Sequence, residues 1–123
     1  LSHRKRHLKN TLTYQVLKKH NHSDNMEHLQ IQFDSMGVYD NTYVGILQTA
    51  YASGLKEFPM PCVFTNCHNC LCAVGGTINT DVHKYAESAC KKSGGIFVPP
   101  HEAVIHQYMR EMIVKSGDMS YCI

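Results

Sequence analysis

The chain has 123 residues, 43% of them apolar and 18% charged, with a formal net charge of +2. That apolar content excludes a disordered segment, and no run approaches the ~20 apolar residues that a bilayer span requires. A net charge this small excludes a general polyanion binder, so neither nucleic acid nor a membrane is expected as a partner.

The charge is nevertheless uneven along the chain. SHRKRHLKN (2–10) contains no acid, and the first acidic residue is Asp24. A basic, acid-free start fits a transit peptide, a nucleic-acid arm or the polar face of a surface helix, and the last of these is the reading adopted. Leu8, Leu12 and Val16 recur every fourth residue, with Leu17 beside them, which predicts a helix over 3–20. HNHSDN (20–25) is a polar break. Residues 1–25 therefore read as a basic helix and linker, ahead of an α/β domain over 26–123.

Within that domain LQIQF (29–33) alternates as a short strand does. Asp40 can cap a helix through TYVGILQTAYA that Ser53 and Gly54 stop. PMPCVF (59–64) is a proline-punctuated strand. The next helix is expected to start at Thr80 as cap, with Val82, Ala86, Ala89 and Cys90 on one face and Gly94 just past its end. GIFVP (95–99) is another strand. Pro100 opens a helix with Ile105, Met109 and Ile113 in one row and Val104, Tyr108 and Met112 in another, and MSYCI begins a last extended run. Short strands alternating with helices indicate an α/β fold. The first residue is Leu and the final apolar run has no stop signal, so a truncated piece is expected.

Six cysteines are many for this length, four of them clustered at Cys62, Cys67, Cys70 and Cys72. No hydrophobic signal segment precedes them, which favours reduced thiols in the cytoplasm or an organelle interior. Cys67, Cys70 and Cys72, completed by His83 or Cys90, could hold a metal or serve in thiol exchange, because thiolates at this spacing reach one ion from a tight turn. Buried cysteine without chemistry is the competing reading. His68 sits among them in a loop beyond a strand, a common setting for acid–base chemistry, against which stands an exposed loop histidine of no special role. His106 flanks the apolar rows of the last helix, where a core-edge imidazole is the commoner outcome. Gly75 and Gly76 precede a helix whose first N–H groups could hold a carboxylate or phosphate, or form a turn with no ligand. Neither a phosphate-binding glycine fingerprint nor a Gly-x-Ser-x-Gly elbow occurs.

Three stretches keep a familiar order: DNTYVGILQTAYASGL (40–55), TNCHNCLCAVGGTINTDVHKYAESACKKSGGIFVPP (65–100) and HEAVIHQYMREM (101–112). Together, over roughly residues 26–119, the chain resembles the amino-terminal part of the aconitase and isopropylmalate-isomerase superfamily, nearest to a bacterial branch of hydratases. The resemblance implies a partial three-layer α/β domain and a hydro-lyase that dehydrates and rehydrates a small hydroxy-polycarboxylate. It puts the family's catalytic histidines at His68 and His106, and substrate contacts at Gln107, Gly75 and Gly76. It also implies a [4Fe-4S] cluster whose ligands come from later in the family's chain, so no cofactor is expected on these residues. Two positions depart from the pattern: Cys67 stands where the family has an aspartate, and Tyr39 where it has a glutamine. The family's downstream Asp-Ser-His-Thr motif is absent from these residues, so the chain alone is expected to be inactive.

Overall fold

The computed structural model describes residues 8–39, 42–65 and 77–123. Strand β1 is Ser35–Tyr39, followed by helix α2 (Tyr43–Ala52), β2 (Cys62–Thr65), α3 (Thr77–Ser93), β3 (Ile96–Phe97), α4 (Ile105–Tyr108) and β4 (Ser120–Cys122); helix α1 (Leu12–His20) precedes them all. All pairings are parallel and the strand order is β3-β2-β1-β4. The chain therefore steps outward from β1 through β2 to β3, then crosses back to lay β4 on the far side of β1.

Parallel crossovers are right-handed, so reversing the direction of travel puts the last helix on the opposite face of the sheet. The packing follows that rule. Val38, Cys62 and Phe64 share one core with Tyr43 and Leu47 of α2 and Ala86, Ala89 and Cys90 of α3. Val63 lies in a second core with Val98, Ile105 and Met109. Adjacent strand residues such as Val63 and Phe64 serve opposite cores because the pleat alternates. The first core is aromatic, with Phe64 edge-on to Tyr43 at 5.7 Å and tilted against Phe58 at 5.5 Å.

Gly37 makes the second core possible. A Cβ there would lie 3.0 Å from Ile105 Cδ1 and 3.2 Å from Met109 Cγ, so α4 rests directly on the β1 backbone. The helix then widens into a π-helical turn over Met109–Ile113, with the Val114 N–H donating to the Met109 carbonyl at 2.8 Å. One extra residue in that turn shifts the helical phase, and Met112 stands 67% exposed although its sequence row puts it with Val104 and Tyr108.

Several expected boundaries are corrected. The helix expected over 3–20 is interrupted: Leu8 and Lys9 are helical, the chain turns at Asn10, and α1 restarts at Leu12, capped by Thr11, whose Oγ1 accepts from the Tyr14 N–H. Its leucine row does not seal a core: Leu12 is 75% exposed, and the buried residue of the helix is His20. LQIQF contributes only one bridge, Ile31 to Asn21, and the strand is the following SMGVY. Asp40 lies outside the described residues. Helix α3 is already helical at Thr77, so Thr80 is interior rather than a cap. Pro100 does not open a helix, because His101 takes a left-handed φ of 74° that breaks helical continuity, and α4 begins only at Ile105. The turns at Gly54, Gly94 and Gly117 have positive φ, the first two just beyond the ends of α2 and α3 as expected.

Gly37→Val should lower stability by about 1–3 kcal/mol through overpacking against Ile105 and Met109. Gly45→Ala, on an exposed helical position with nothing within 4 Å, should raise it by about 0.5–1 kcal/mol. Urea unfolding of the two variants and the parent chain measures both.

Candidate functional site

In an open parallel sheet, ligands bind beyond the carboxyl ends of the strands, at the point where strand order reverses. Here that point lies between β1 and β4. The two strands are knit there by Tyr39 N–H to the Ile123 carbonyl at 3.1 Å and Ile123 N–H to the Gly37 carbonyl at 2.9 Å. Thr42, at the start of α2, adds its hydroxyl to the same place, 3.0 Å from the Tyr39 carbonyl and 3.2 Å from that of Ile123. Thr65, the last residue of β2 and fully buried, donates to the Ala103 carbonyl at 3.2 Å and ties the segment after β3 to the sheet.

Of the residues expected in a hydro-lyase site, His106 and Gln107 are among those described. His106 is on the first turn of α4 with its side chain exposed. Gln107 is half-buried and already engaged: its Nε2 donates to Glu111 Oε1, and its Oε1 accepts from Arg110 Nη2 at 2.7 Å. His68, Gly75, Gly76, Cys67, Cys70 and Cys72 lie outside the described residues. Their segment follows β2, as the segment bearing His106 and Gln107 follows β3.

Cys90, weighed as a possible ligand, lies on α3. It is buried in the first core, and burial pushes its thiol up to about 12. Cys62 is driven the same way, to about 12, by burial and by the neighbouring Cys90 thiol. Thiols held protonated to that degree are poor nucleophiles. His83 differs. It is 7% exposed on α3, and its Nδ1 is buried with no hydrogen-bond partner among the described residues.

The structure also brings together a pair that no sequence pattern connects. His20, at the end of α1, has Nδ1 2.8 Å from the Val16 carbonyl and Nε2 2.6 Å from Asp34 Oδ2. That same carboxylate oxygen accepts from the Met119 N–H at 2.9 Å, and the Asp34 N–H donates to the Met119 carbonyl at 2.8 Å. The pair thus fastens α1 to the approaches of both β1 and β4. Both ring nitrogens of His20 are committed to these partners, and its contribution is positional. Spacing could not have announced it, since the partners are 14 residues apart across an irregular loop.

No protein-family model matches the chain, and no curated protein matches it either. What the fold defines is therefore a class: a small α/β domain with a parallel sheet and helices on both faces.

The Met119 N–H, followed by the His20 ring, holds the Asp34 carboxyl below its ordinary range. A lowered carboxylate contributes stability above the ordinary carboxylate range and loses it as pH falls through the lowered value. Asp34→Asn should therefore flatten the acid limb of the stability–pH curve below about pH 4 while lowering stability at neutral pH. Urea midpoints measured from pH 7 down to pH 2 for both proteins test this.

Proposed function

We propose that this chain is the amino-terminal part of a hydro-lyase of the aconitase and isopropylmalate-isomerase superfamily, acting on a small hydroxy-carboxylate. The observation that carries the reading is the order of its motifs: the helix segment 40–55, the cysteine–histidine–glycine stretch 65–76, and Ile105, His106 and Gln107. The parallel α/β sheet is compatible with it, because the segments bearing His68 and His106 follow the adjacent strands β2 and β3.

In this reading His68 and His106 form part of the active-site wall and handle protons. Neutral imidazole can accept a proton and imidazolium can return one near neutral pH, which is what reversible addition of water to a double bond requires. His106 is exposed on the first turn of α4, where a substrate can reach it. Gln107 would orient a substrate carboxylate through its amide once released from Glu111 and Arg110. Gly75 and Gly76 would contribute backbone N–H groups to another carboxylate arm. The thiol of Cys67 cannot supply the fixed negative charge of the family's aspartate unless its pKa is lowered, so His68 would work with weaker orientation.

The described cysteines do not fit the [4Fe-4S] cluster that the resemblance implies. A cluster takes converging thiolates, whereas Cys62 and Cys90 are buried thiols pushed up to about 12, and Cys122 is exposed on β4. The ligands would have to come from other residues.

A second reading, a small metal or redox module, is favoured by the buried Nδ1 of His83, which has no partner among the described residues. A buried imidazole nitrogen without a partner costs about 1–3 kcal/mol, which a bound metal would offset. Cys67, Cys70 and Cys72 with His83, in place of Cys90, would then hold one zinc or iron ion.

One set of measurements separates the two. The hydro-lyase reading expects the 123-residue chain to show no turnover of hydroxy-tricarboxylates, and its coding sequence to run on into an Asp-Ser-His-Thr motif. Clear turnover by the isolated chain, or a stop codon before such a motif, overturns it. One equivalent of metal after chelator-free purification, lost in His83→Gln, would establish the metal module instead.

A further inference from the structure

His106 owes its place to contacts that are distant from it in sequence. Helix α4 starts after Val104, which makes no side-chain capping bond, so no local side chain fixes its first turn. The segment before it is a tight turn over residues 99–102, in which the Glu102 N–H donates to the Pro99 carbonyl at 3.4 Å. Pro100 holds the second position of that turn, and His101 takes the third with a φ of 74°. A type II turn needs a positive φ in third place, which glycine adopts freely and a residue with a Cβ adopts only under strain. The turn is therefore inclined to relax, and relaxing it would carry the start of α4 along.

A bond from the sheet opposes that movement. Thr65, fully buried at the end of β2, donates from Oγ1 to the Ala103 carbonyl at 3.2 Å. Ala103 lies between the turn and Val104. Thr65 is itself held in register, paired with Tyr39 across the β1–β2 ladder, while the Val98 N–H donates to the Phe64 carbonyl at 2.9 Å on the β3 side. The hydroxyl is thus a fixed point on the scaffold. A buried hydrogen bond and a left-handed residue with a Cβ are of similar energetic size, so losing the first releases the second.

The helix supplies the other half of the constraint. Ile105 is fully buried in the second core, against the position where a Gly37 Cβ would stand. With Ile105 turned inward, His106 points roughly 100° further round the helix, which is where it stands exposed. Ile105 therefore sets the rotation of α4 about its axis, and Thr65 sets where that axis begins relative to the strand ends.

We infer that Thr65 is a positioning residue: through the Ala103 carbonyl its hydroxyl holds His106 at a set distance from the end of β2. The same strand leads on in sequence to His68, three residues beyond Thr65. The functional meaning of this role rests on the reading of His106 as a proton-handling histidine of a hydro-lyase; the tether itself does not. Proton transfer needs its groups within hydrogen-bond reach of the reacting atoms, and a displacement of about 1 Å costs such a step up to about 100-fold.

The test uses the 123-residue chain, labelled with ¹⁵N and ¹³C, in three forms: the parent, Thr65→Val, which keeps the shape and deletes the hydroxyl, and Thr65→Ser, which keeps the hydroxyl. Thr65→Val should move the ring ¹H–¹⁵N signals of His106 while the methyl signals of Val38 and Leu47 in the first core stay in place. Thr65→Ser should return the ring signals to their parent positions. A lowered urea midpoint in Thr65→Val with the His106 ring unmoved means a role in stability alone and overturns the inference. Equal displacement of the ring in both variants overturns it as well. The parent chain should also show a slowly exchanging Thr65 hydroxyl proton, and its absence overturns the tether even where Thr65→Val fails to fold. No substrate enters these readouts. A coding sequence that stops before an Asp-Ser-His-Thr motif overturns the hydro-lyase reading alone, whereas an unmoved ring overturns the positioning role whatever that sequence shows.

Discussion

Hydrogen bonding on both sides of β1 is the constraint on which the rest of this fold depends. Each residue from Met36 to Tyr39 has a partner in β2, and Ser35 to Gly37 have partners in β4. A strand bonded on both edges must present alternate side chains to two faces, and each face then needs a helical cover. Val38 meets α2 and α3, while Gly37 meets α4 at backbone distance. The reversal of strand order at β1 is what divides the covers between the faces. Thr42 binds the two strands together at that point through the Tyr39 and Ile123 carbonyls.

The two ends of the sheet consequently have different characters. Beyond the carboxyl ends Thr42 and Thr65 tie α2 and the segment after β3 to the strands. At the amino ends the chain arrives, and the residues that matter are fasteners. His20 and Asp34 join a helix to two strand approaches through one carboxylate oxygen and two ring nitrogens. Loops carry function most readily when the scaffold beneath them is rigid, and such fastenings supply part of that rigidity.

The features legible in the sequence were those with a local cause. The α/β alternation, the helix over Tyr43–Ala52, the stops near Gly54 and Gly94 and the extended run at Ser120–Cys122 all follow from apolar period and glycine. What escaped had a non-local cause. SMGVY is a strand because two other strands flank it, and its glycine, which reads as punctuation, is there to admit Ile105 and Met109. LQIQF alternates well but, among the described residues, bridges only to Asn21. The helix after Pro100 is delayed by the left-handed turn at His101, and Thr65 ties the neighbouring Ala103 to β2. At the candidate site, His106 and Gln107 stand on α4 as their sequence position implied. The engagement of Gln107 by Glu111 and Arg110 depends on rotamers that no periodicity encodes.

The outer strands bear on how these molecules behave together. β3 has two residues, and β4, with three, bonds to β1 on one side while its Tyr121 is 47% exposed and packs at 5.2 Å on Phe33. The outer backbone of β4 is a short template on which an extended peptide can lay a strand. Its brevity limits the ladder to a few hydrogen bonds, too few to hold a stray chain against thermal motion without further contacts. Strand length at that border of the sheet thus limits such pairing among the described residues.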